Sequence, residues 1–331
     1  METLKDTFGR AHNYLRISLT ERCNLRCTYC MPEHGIPLSP RAQLMTADEI
    51  FALAQQFVKL GVTKIRLTGG EPLVRKDFEE ILSRLSGLPV ELTITTNAVL
   101  IDRYITQLKS AGIKTINVSL DTLHPEKFRS ITRRDDFAAV KRNIKLLLAE
   151  GFKVKINCVL IKGFNDEEIV DFVAYTETMP VSMRFIEFMP FDGNRWNKDK
   201  LVAEQEILKS VFDRWTVSQV ERLTDSMNDT SRNYKVKGYA GSFAMISTVT
   251  NPFCDTCNRI RLTANGRIKN CLFSNAEVDL LTPFRAGQDI LPLINQAVKA
   301  KFAVRAGMES DESFSDPENY NNNRSMIAIG G

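Results

Sequence analysis

Six short β-rich runs alternate with longer stretches of helical periodicity: YLRISLT (14–20), VTKIRLT (62–68), VELTITT (90–96), IKTINVSL (113–120), FKVKINCVL (152–160) and VSMRFIEF (181–188). No other feature constrains the fold as much, because strand, helix and strand in succession join parallel neighbours through a helical crossover. TADEIFALAQQFVKLG opens on a capping box, Thr46 and Glu49. It then sets Ile50, Leu53, Ala54 and Phe57 on one face and stops at Gly61. DDFAAVKRNIKLLLAEG repeats the pattern with Phe137, Val140, Ile144 and Leu147 before Gly151. Six such units predict an α/β fold, a doubly wound sheet or an incomplete barrel. Polar residues gather after the strands: a cysteine loop after the first, GGEP, TTN and SLD after the next three. Loops at the carboxyl ends of parallel strands line one cavity in such folds.

After about residue 195 the alternation stops. LVAEQEILKSVFDRW has helical periodicity, and the polar stretch TDSMNDTSRN (224–233) marks a boundary. The division expected is a barrel-like domain over 1–225 and a smaller domain over 226–331, with strands near YKVKGYA and SFAMISTV. The polar tail from 309 to 325 is expected to be mobile, and the chain ends in Ile-Gly-Gly.

The 44 basic against 40 acidic residues leave a net charge of +4, too even for a nucleic-acid-coating protein yet open to one anionic ligand held by a few arginines. No apolar run reaches the roughly 18 residues of a membrane span. METLKDTFGR carries acids and lacks an apolar leader segment, so a cytoplasmic location is expected. Thiols stay reduced there, which argues against a disulfide framework for the seven cysteines. Cys158, alone in an apolar run, reads as a small buried hydrophobe.

The other six cysteines form two trios, Cys23/Cys27/Cys30 (C-x3-C-x2-C) and Cys254/Cys257/Cys271. Structural zinc takes four protein ligands, and His34 offers a fourth for the first trio. A four-iron cluster held by three thiolates leaves one iron open to an external ligand. Among the three histidines, His12, His34 and His124, none is near the second trio, which suits a cluster with an open iron in the same way. In NRIRL, Arg259 and Arg261 share one face of an extended segment, a fork suited to phosphate oxygens.

C-x3-C-x-Y-C after the first strand, followed by GGEP (69–72) after the second, resembles the radical S-adenosylmethionine (SAM) superfamily. The resemblance implies an incomplete (β/α)6 TIM-like barrel with a smaller C-terminal iron–sulfur domain. It also implies a cluster on Cys23, Cys27 and Cys30 whose open iron binds SAM, and cleavage of SAM to a 5′-deoxyadenosyl radical. Glycines in GGEP would let the backbone approach the bound amino group.

Further matches make the chain similar to the GTP 3′,8-cyclase family of molybdenum cofactor biosynthesis. They are an Arg before the cysteine loop, KIRLTGGEP, TTN, INVSLD, VKIN, RFIEFM, FCxxCNRxR and a terminal Gly-Gly. The family resemblance implies two [4Fe-4S] clusters, the second on Cys254, Cys257 and Cys271 beside the substrate. Tyr29, Gly70, Ser119 and Met189 would contact SAM. Arg16, Arg66, Thr95, Lys155, Arg259 and Arg261 would bind GTP, and Arg259, Arg261, Gly330 and Gly331 would serve catalysis. Hydrogen abstraction from C3′ of GTP and bonding of that carbon to C8 would give (8S)-3′,8-cyclo-7,8-dihydroguanosine 5′-triphosphate. A ferredoxin- or flavodoxin-type electron donor, a downstream cyclic pyranopterin monophosphate synthase and a homodimer are implied, with no nucleic acid and no membrane. Ala98 stands where the family has Gly after TTN, a cheap change unless that position needs positive φ. The alternatives are a radical SAM enzyme acting on peptides and a zinc-binding nucleic-acid-binding protein.

Overall fold

The computed structural model describes residues 3–32, 34–320 and 322–330. The six β-rich runs fold as β1 (Tyr14–Ser18), β2 (Lys64–Thr68), β3 (Glu91–Thr96), β4 (Thr115–Ser119), β5 (Lys153–Leu160) and β6 (Ser182–Glu187). They pair in that order, each parallel to the next. The crossovers carry α1 (Ala47–Lys59), α2 (Phe78–Ser86), α3 (Ile105–Ser110), α4 (Pro125–Thr132), α5 (Phe137–Ala149) and α6 (Ile169–Tyr175).

Period-two alternation makes these segments strands and sorts their side chains. Leu15, Ile17, Ile65, Leu67, Ile94, Ile116, Val118 and Ile156 are wholly buried in one continuous core with Ile50, Leu53, Ala54 and Phe57 of α1. Each such aliphatic side chain contributes about 1.5–3 kcal/mol when buried. The opposite parity is polar. Arg16, Arg66 and Thr93 lie in register across β1–β3, and Thr95, Asn117 and Lys155 across β3–β5. α1 starts as its capping box requires: Glu49 N donates to Thr46 Oγ1 (3.2 Å) and Thr46 N to Glu49 Oε2 (2.7 Å). Such a cap is worth about 1 kcal/mol. Cys158 is fully buried within the same core, as an isolated thiol in an apolar run should be.

Downstream come α7 (Glu204–Arg214), β7 (Val220–Arg222), β8 (Arg232–Val236), β9 (Ser242–Ile246), β10 (Arg259–Leu262), β11 (Arg267–Lys269) and β12 (Val278–Asp279). These strands build no separate sheet. β10 pairs parallel with β1 and β9 parallel with β6, giving the order β12-β11-β10-β1-β2-β3-β4-β5-β6-β9-β8-β7. A six-stranded partial barrel leaves β1 and β6 with unpaired edges, and open edges invite aggregation; the downstream chain covers both. A boundary at 225/226 therefore runs through the turn of the β7–β8 hairpin.

The tail is packed, contrary to the mobility its polarity predicts. After α8 (Leu281–Arg285) and α9 (Leu291–Lys299), the chain forms α10 (Asp311–Ser315) and α11 (Met326–Ile329). Asn323 is fully buried, its Nδ2 donating to Leu272 O (3.1 Å) and its carbonyl accepting from Asp192 N (3.0 Å). Arg324 forks onto Glu277 (3.0 and 2.7 Å). Polar residues can pack when their hydrogen bonds are met locally, which composition does not reveal.

Ala98 also departs from expectation. Its φ is 60°, the left-handed region, so the methyl carries strain of about 1–2 kcal/mol. Bonds from Ala98 N to Thr96 Oγ1 (3.0 Å) and from Asn143 Nδ2 to Ala98 O (2.7 Å) hold it there.

Candidate active site

Cys23, Cys27 and Cys30 lie on the loop that leaves β1. Cys30 N and Met31 N both donate to Cys27 O (3.0 and 2.9 Å), a tight turn that carries two of the thiols. All three line a chamber of about 180 Å³ with Tyr29, Gly69, Gly70, Ser119 and Met189. The GGEP turn is bonded to this loop: Gly70 N donates to Thr20 O (2.7 Å) and Glu71 N to Arg22 O (2.8 Å). A Cβ at position 70 would meet Arg22 O at 2.4 Å and Ile327 Cγ1 at 2.9 Å. The room a side chain would need is therefore filled by the protein itself. Glu71, buried, accepts from Thr96 Oγ1 (2.7 Å), Asn97 N (2.7 Å) and Leu73 N (3.1 Å), and Asn97 Nδ2 reaches Cys23 Sγ (3.7 Å).

No Lys, Arg or His is among the described residues that line this chamber. Asp121 is the one formally charged side chain among its described lining residues besides the thiols. Asp121 accepts from Tyr29 OH (2.7 Å) and Val159 N (2.9 Å), yet burial raises it to about 6. Burial likewise raises Glu71 to about 7. Burial first, then Glu71, pushes Cys23 up to about 12, and burial raises Cys27 and Cys30 as well. Burial thus disfavours free thiolates here, whereas a bound metal group deprotonates a coordinating thiol. His34, the candidate fourth zinc ligand, is exposed and does not line the chamber.

The second trio lines an adjoining cavity of about 390 Å³. Cys254 and Cys257 precede β10, and Cys271 follows β11. Arg16, Lys64, Arg66, Lys155, Arg184, Arg259 and Arg261 line this cavity against a single carboxylate, Asp229, among the described residues. As the alternation on β10 predicts, Arg259 and Arg261 share the cavity, while Ile260 and Leu262 lie in the core. Register explains the crowding: Arg261 stands beside Arg16, and Arg16 beside Arg66. Burial, then Arg16 and Arg259, lowers Arg261 to about 9; burial, then Arg184, lowers Lys155 to about 8. Burial opposes ionisation of Cys257, but Arg259 and Lys301 outweigh it and bring the thiol to about 5.

Lys64 pairs with Glu91 (2.8 Å), but four of the arginines keep an unmet donor. Nε of Arg16, Arg66, Arg184 and Arg261 is buried without a hydrogen bond, as are Thr95 Oγ1 and Asn117 and Asn157 Oδ1. Buried polar groups left unpaired are costly, and the unmet guanidinium donors suit an anionic ligand, while the amide oxygens suit a ligand that also carries donors. All six trio thiols are free of disulfides. Among the described residues, no three Cys, His, Asp or Glu side chains group closely enough for a single metal ion. The thiols instead line chambers with room for a larger group, and three thiolates per site match the donor set of an iron–sulfur cluster with one open iron.

The two chambers meet at Thr95, Asn157, Ile186, Met189 and Met326. Every expected site residue inside the described chain except Gly330 lines this double cavity. Gly330 has φ 78° and is buried against Thr68 and Ser18, at the carboxyl ends of β2 and β1. Gly331 lies outside the described residues. Sequence reading gave no role to Arg184, Asn117 and Asn157, nor to Asp121 beyond placing its SLD loop at the cavity, and all four line it. The signal that locates the first three was present: alternate polar positions in TINVS, KVKIN and SMRFIE.

A partial α/β barrel with a three-thiol loop at the end of β1 defines the class. A family model described as the radical SAM superfamily matches residues 17–176, and one described as Molybdenum Cofactor Synthesis C matches residues 181–306. The mitochondrial GTP 3′,8-cyclase of Arabidopsis thaliana is 48% identical over 337 residues, covering 100% of this chain and 84% of that protein. The GTP 3′,8-cyclase of Peptoclostridium acidaminophilum is 42% identical over 335 residues, covering 99% of this chain and 98% of that protein. The chain belongs to the radical SAM superfamily and, within it, to the GTP 3′,8-cyclase family.

Molybdenum cofactor biosynthesis protein 1 of Mus musculus is 47% identical over 99% of this chain, which spans about half of that relative, 51%. Among solved structures, Streptococcus suis SuiB superposes with a TM-score of 0.64 at 18% identity, over 87% of this chain and 67% of SuiB. That likeness shows the fold. Family membership implies a [4Fe-4S] cluster and SAM. No helix among the described residues is long and apolar enough to cross a membrane.

Proposed function

We propose that this chain converts GTP to (8S)-3′,8-cyclo-7,8-dihydroguanosine 5′-triphosphate, the first step of molybdenum cofactor biosynthesis. The observation that carries the reading is the pair of joined chambers with opposite electrostatics. One is neutral to acidic and suits the sulfonium cation of SAM. The other presents seven cations against one carboxylate and suits a triphosphate.

Cys23, Cys27 and Cys30 would hold one four-iron cluster, and Cys254, Cys257 and Cys271 a second. When bound with SAM, the first cluster supplies hydrogen abstraction through the 5′-deoxyadenosyl radical of the superfamily. Tyr29, Gly70, Ser119 and Met189 hold SAM, with the Tyr29 phenol fixed by Asp121. Arg16, Arg66, Lys155, Arg259 and Arg261, joined by Arg184, hold the triphosphate, and Thr95 stands where the chambers meet. Met189, Ile186 and Met326 line that junction with apolar surface, which keeps water from the ribose. The protein's contribution is positioning: C3′ must face one chamber while the guanine stays in the other. Gly330 and Gly331 would complete the site from the tail. The same reading carries a ferredoxin- or flavodoxin-type electron donor, a cyclic pyranopterin monophosphate synthase downstream and a homodimer, each supported by family membership alone; the cytoplasmic location proposed with them has no such support, since the Arabidopsis thaliana relative is mitochondrial.

Anaerobic reconstitution tests the proposal. The chain should take up about eight irons, four per cluster, and consume GTP when given SAM and dithionite. Cys27→Ala should lose roughly half the iron and all SAM cleavage. Stoichiometric zinc at either trio, or GTP left intact by the loaded protein, would overturn it.

A further inference from the structure

The six trio thiols are not treated alike. Cys23 Sγ receives only neutral donors, Leu25 N (3.4 Å) and Asn97 Nδ2 (3.7 Å). Cys257 Sγ receives the ammonium of Lys301 at 3.3 Å. Lys301 follows α9, is 5% exposed, and also donates to Arg259 O at 3.0 Å. It forms no ion pair with a carboxylate among the described residues. A buried ammonium without a counter-ion is expensive, so the charge it answers must lie on the thiolate side.

A second side chain holds this arrangement in place. Arg10, paired with Asp6, donates to Cys254 O (2.9 Å), Ala303 O (2.7 Å) and Phe302 O (2.7 Å). One guanidinium thus ties the loop of the second trio to the two residues after Lys301. Both ends of the ammonium–thiol contact are anchored, so the contact is built into the fold and does not depend on a flexible lysine finding its partner. Charge-assisted hydrogen bonds of this kind are about twice as strong as neutral ones.

We infer that Lys301 is a positioning residue of the second trio, orienting Cys257 and stabilising the more reduced state of the group these cysteines hold. Net charge and hydrogen bonds to sulfur set the potential of iron–sulfur sites, and a cation on one sulfur favours the state with one more electron. This inference rests on the second-cluster reading above.

The test isolates the second site in the full-length Cys23→Ala, Cys27→Ala, Cys30→Ala variant, reconstituted without oxygen and titrated with dithionite under paramagnetic resonance. This parent should hold about four irons. Adding Lys301→Met should lower the reduced-to-oxidised ratio about tenfold at a fixed potential, which is about 59 mV for a one-electron couple. Lys301→Arg, which keeps the charge and the donors, should stay near the parent in potential and iron content. Loss of iron on Lys301→Met that Lys301→Arg restores supports the same role. An unchanged potential in Lys301→Met, or equal defects in the Met and Arg variants, would assign Lys301 to packing and overturn the inference. A parent that binds no iron would remove the second-cluster reading itself, and the inference with it; that failure appears before any change at Lys301.

Discussion

Replacing Gly330 with alanine adds one methyl group at the end of the tail, and the structure sets what that methyl meets. The new Cβ would lie 2.4 Å from Thr68 Oγ1 and 3.1 Å from Ser18 Cβ. Thr68 is buried, and its hydroxyl donates to Ile17 O (3.2 Å), so it cannot swing away freely. Giving up that hydrogen bond costs about 0.5–1.5 kcal/mol. A non-glycine residue at φ 78° adds strain of about 1–2 kcal/mol. Together these shift the docked tail by about 1.5–3.5 kcal/mol, roughly 10- to 300-fold. The burial of Ile327 and Ile329 that opposes its release is worth about 3–6 kcal/mol, so the last turn stays docked but opens more often, and the chain end at Gly330 shifts. Gly330→Ala should therefore lose GTP cyclisation nearly as far as deletion of Gly330 and Gly331. Iron content and reductive cleavage of SAM should persist, because the cysteine loop and the GGEP turn are held by bonds of their own, Gly70 N to Thr20 O and Glu71 N to Arg22 O. The assay is anaerobic turnover of GTP alongside SAM cleavage, with amide exchange across 326–329 reporting the tail. Full turnover by Gly330→Ala, with exchange as slow as in the parent, would refute the argument.

Two further outcomes follow from the cationic cavity. Arg259→Ala or Arg261→Ala should weaken GTP binding by about 1.5–3 kcal/mol, roughly ten- to a hundredfold, and leave the iron content unchanged; calorimetry showing no loss in either variant would place them outside the phosphate site. Lys155, lowered from 10.5 to about 8, keeps its charge below that pH and sheds it as pH rises through it. GTP affinity should accordingly fall between pH 7 and 9, and Lys155→Arg should remove the fall. Folding stability moves the opposite way: the unfolded lysine holds its proton up to 10.5, so this group's contribution to stability rises with pH between 8 and 10.5. A pH-independent dissociation constant would rule this role out.

Much of the barrel was legible because its signals are local. Each β-rich run became a strand within two residues of its expected ends, and α1 began at Thr46 because Glu49 completes the capping box. The cysteine spacings were legible for the same reason: a tight turn between Cys27 and Cys30 needs only its own residues. The inward polar residues were harder to see. Asn117, Asn157 and Arg184 sit in runs rich in β-formers, where period-two alternation marks two faces without saying which one meets water.

By itself, then, the sequence determined six crossover units, two thiol trios and a paired arginine strand, all of them short-range patterns. Tertiary structure alone decided how these meet. β10 lies against β1, about three quarters of the chain length away, and that pairing sets Arg261 beside Arg16 and brings the second trio to a cavity adjoining that of the first. The flanks of the sheet come from downstream strands because a partial barrel leaves two edges to cover, a demand that arises only once the barrel exists. The tail packs because Asn323 and Arg324 find partners on distant segments, and Ala98 sits at positive φ because its neighbours hold it there. Such long-range pairings depend on which surfaces remain unsatisfied after local structure has formed, and no window of the chain contains both partners.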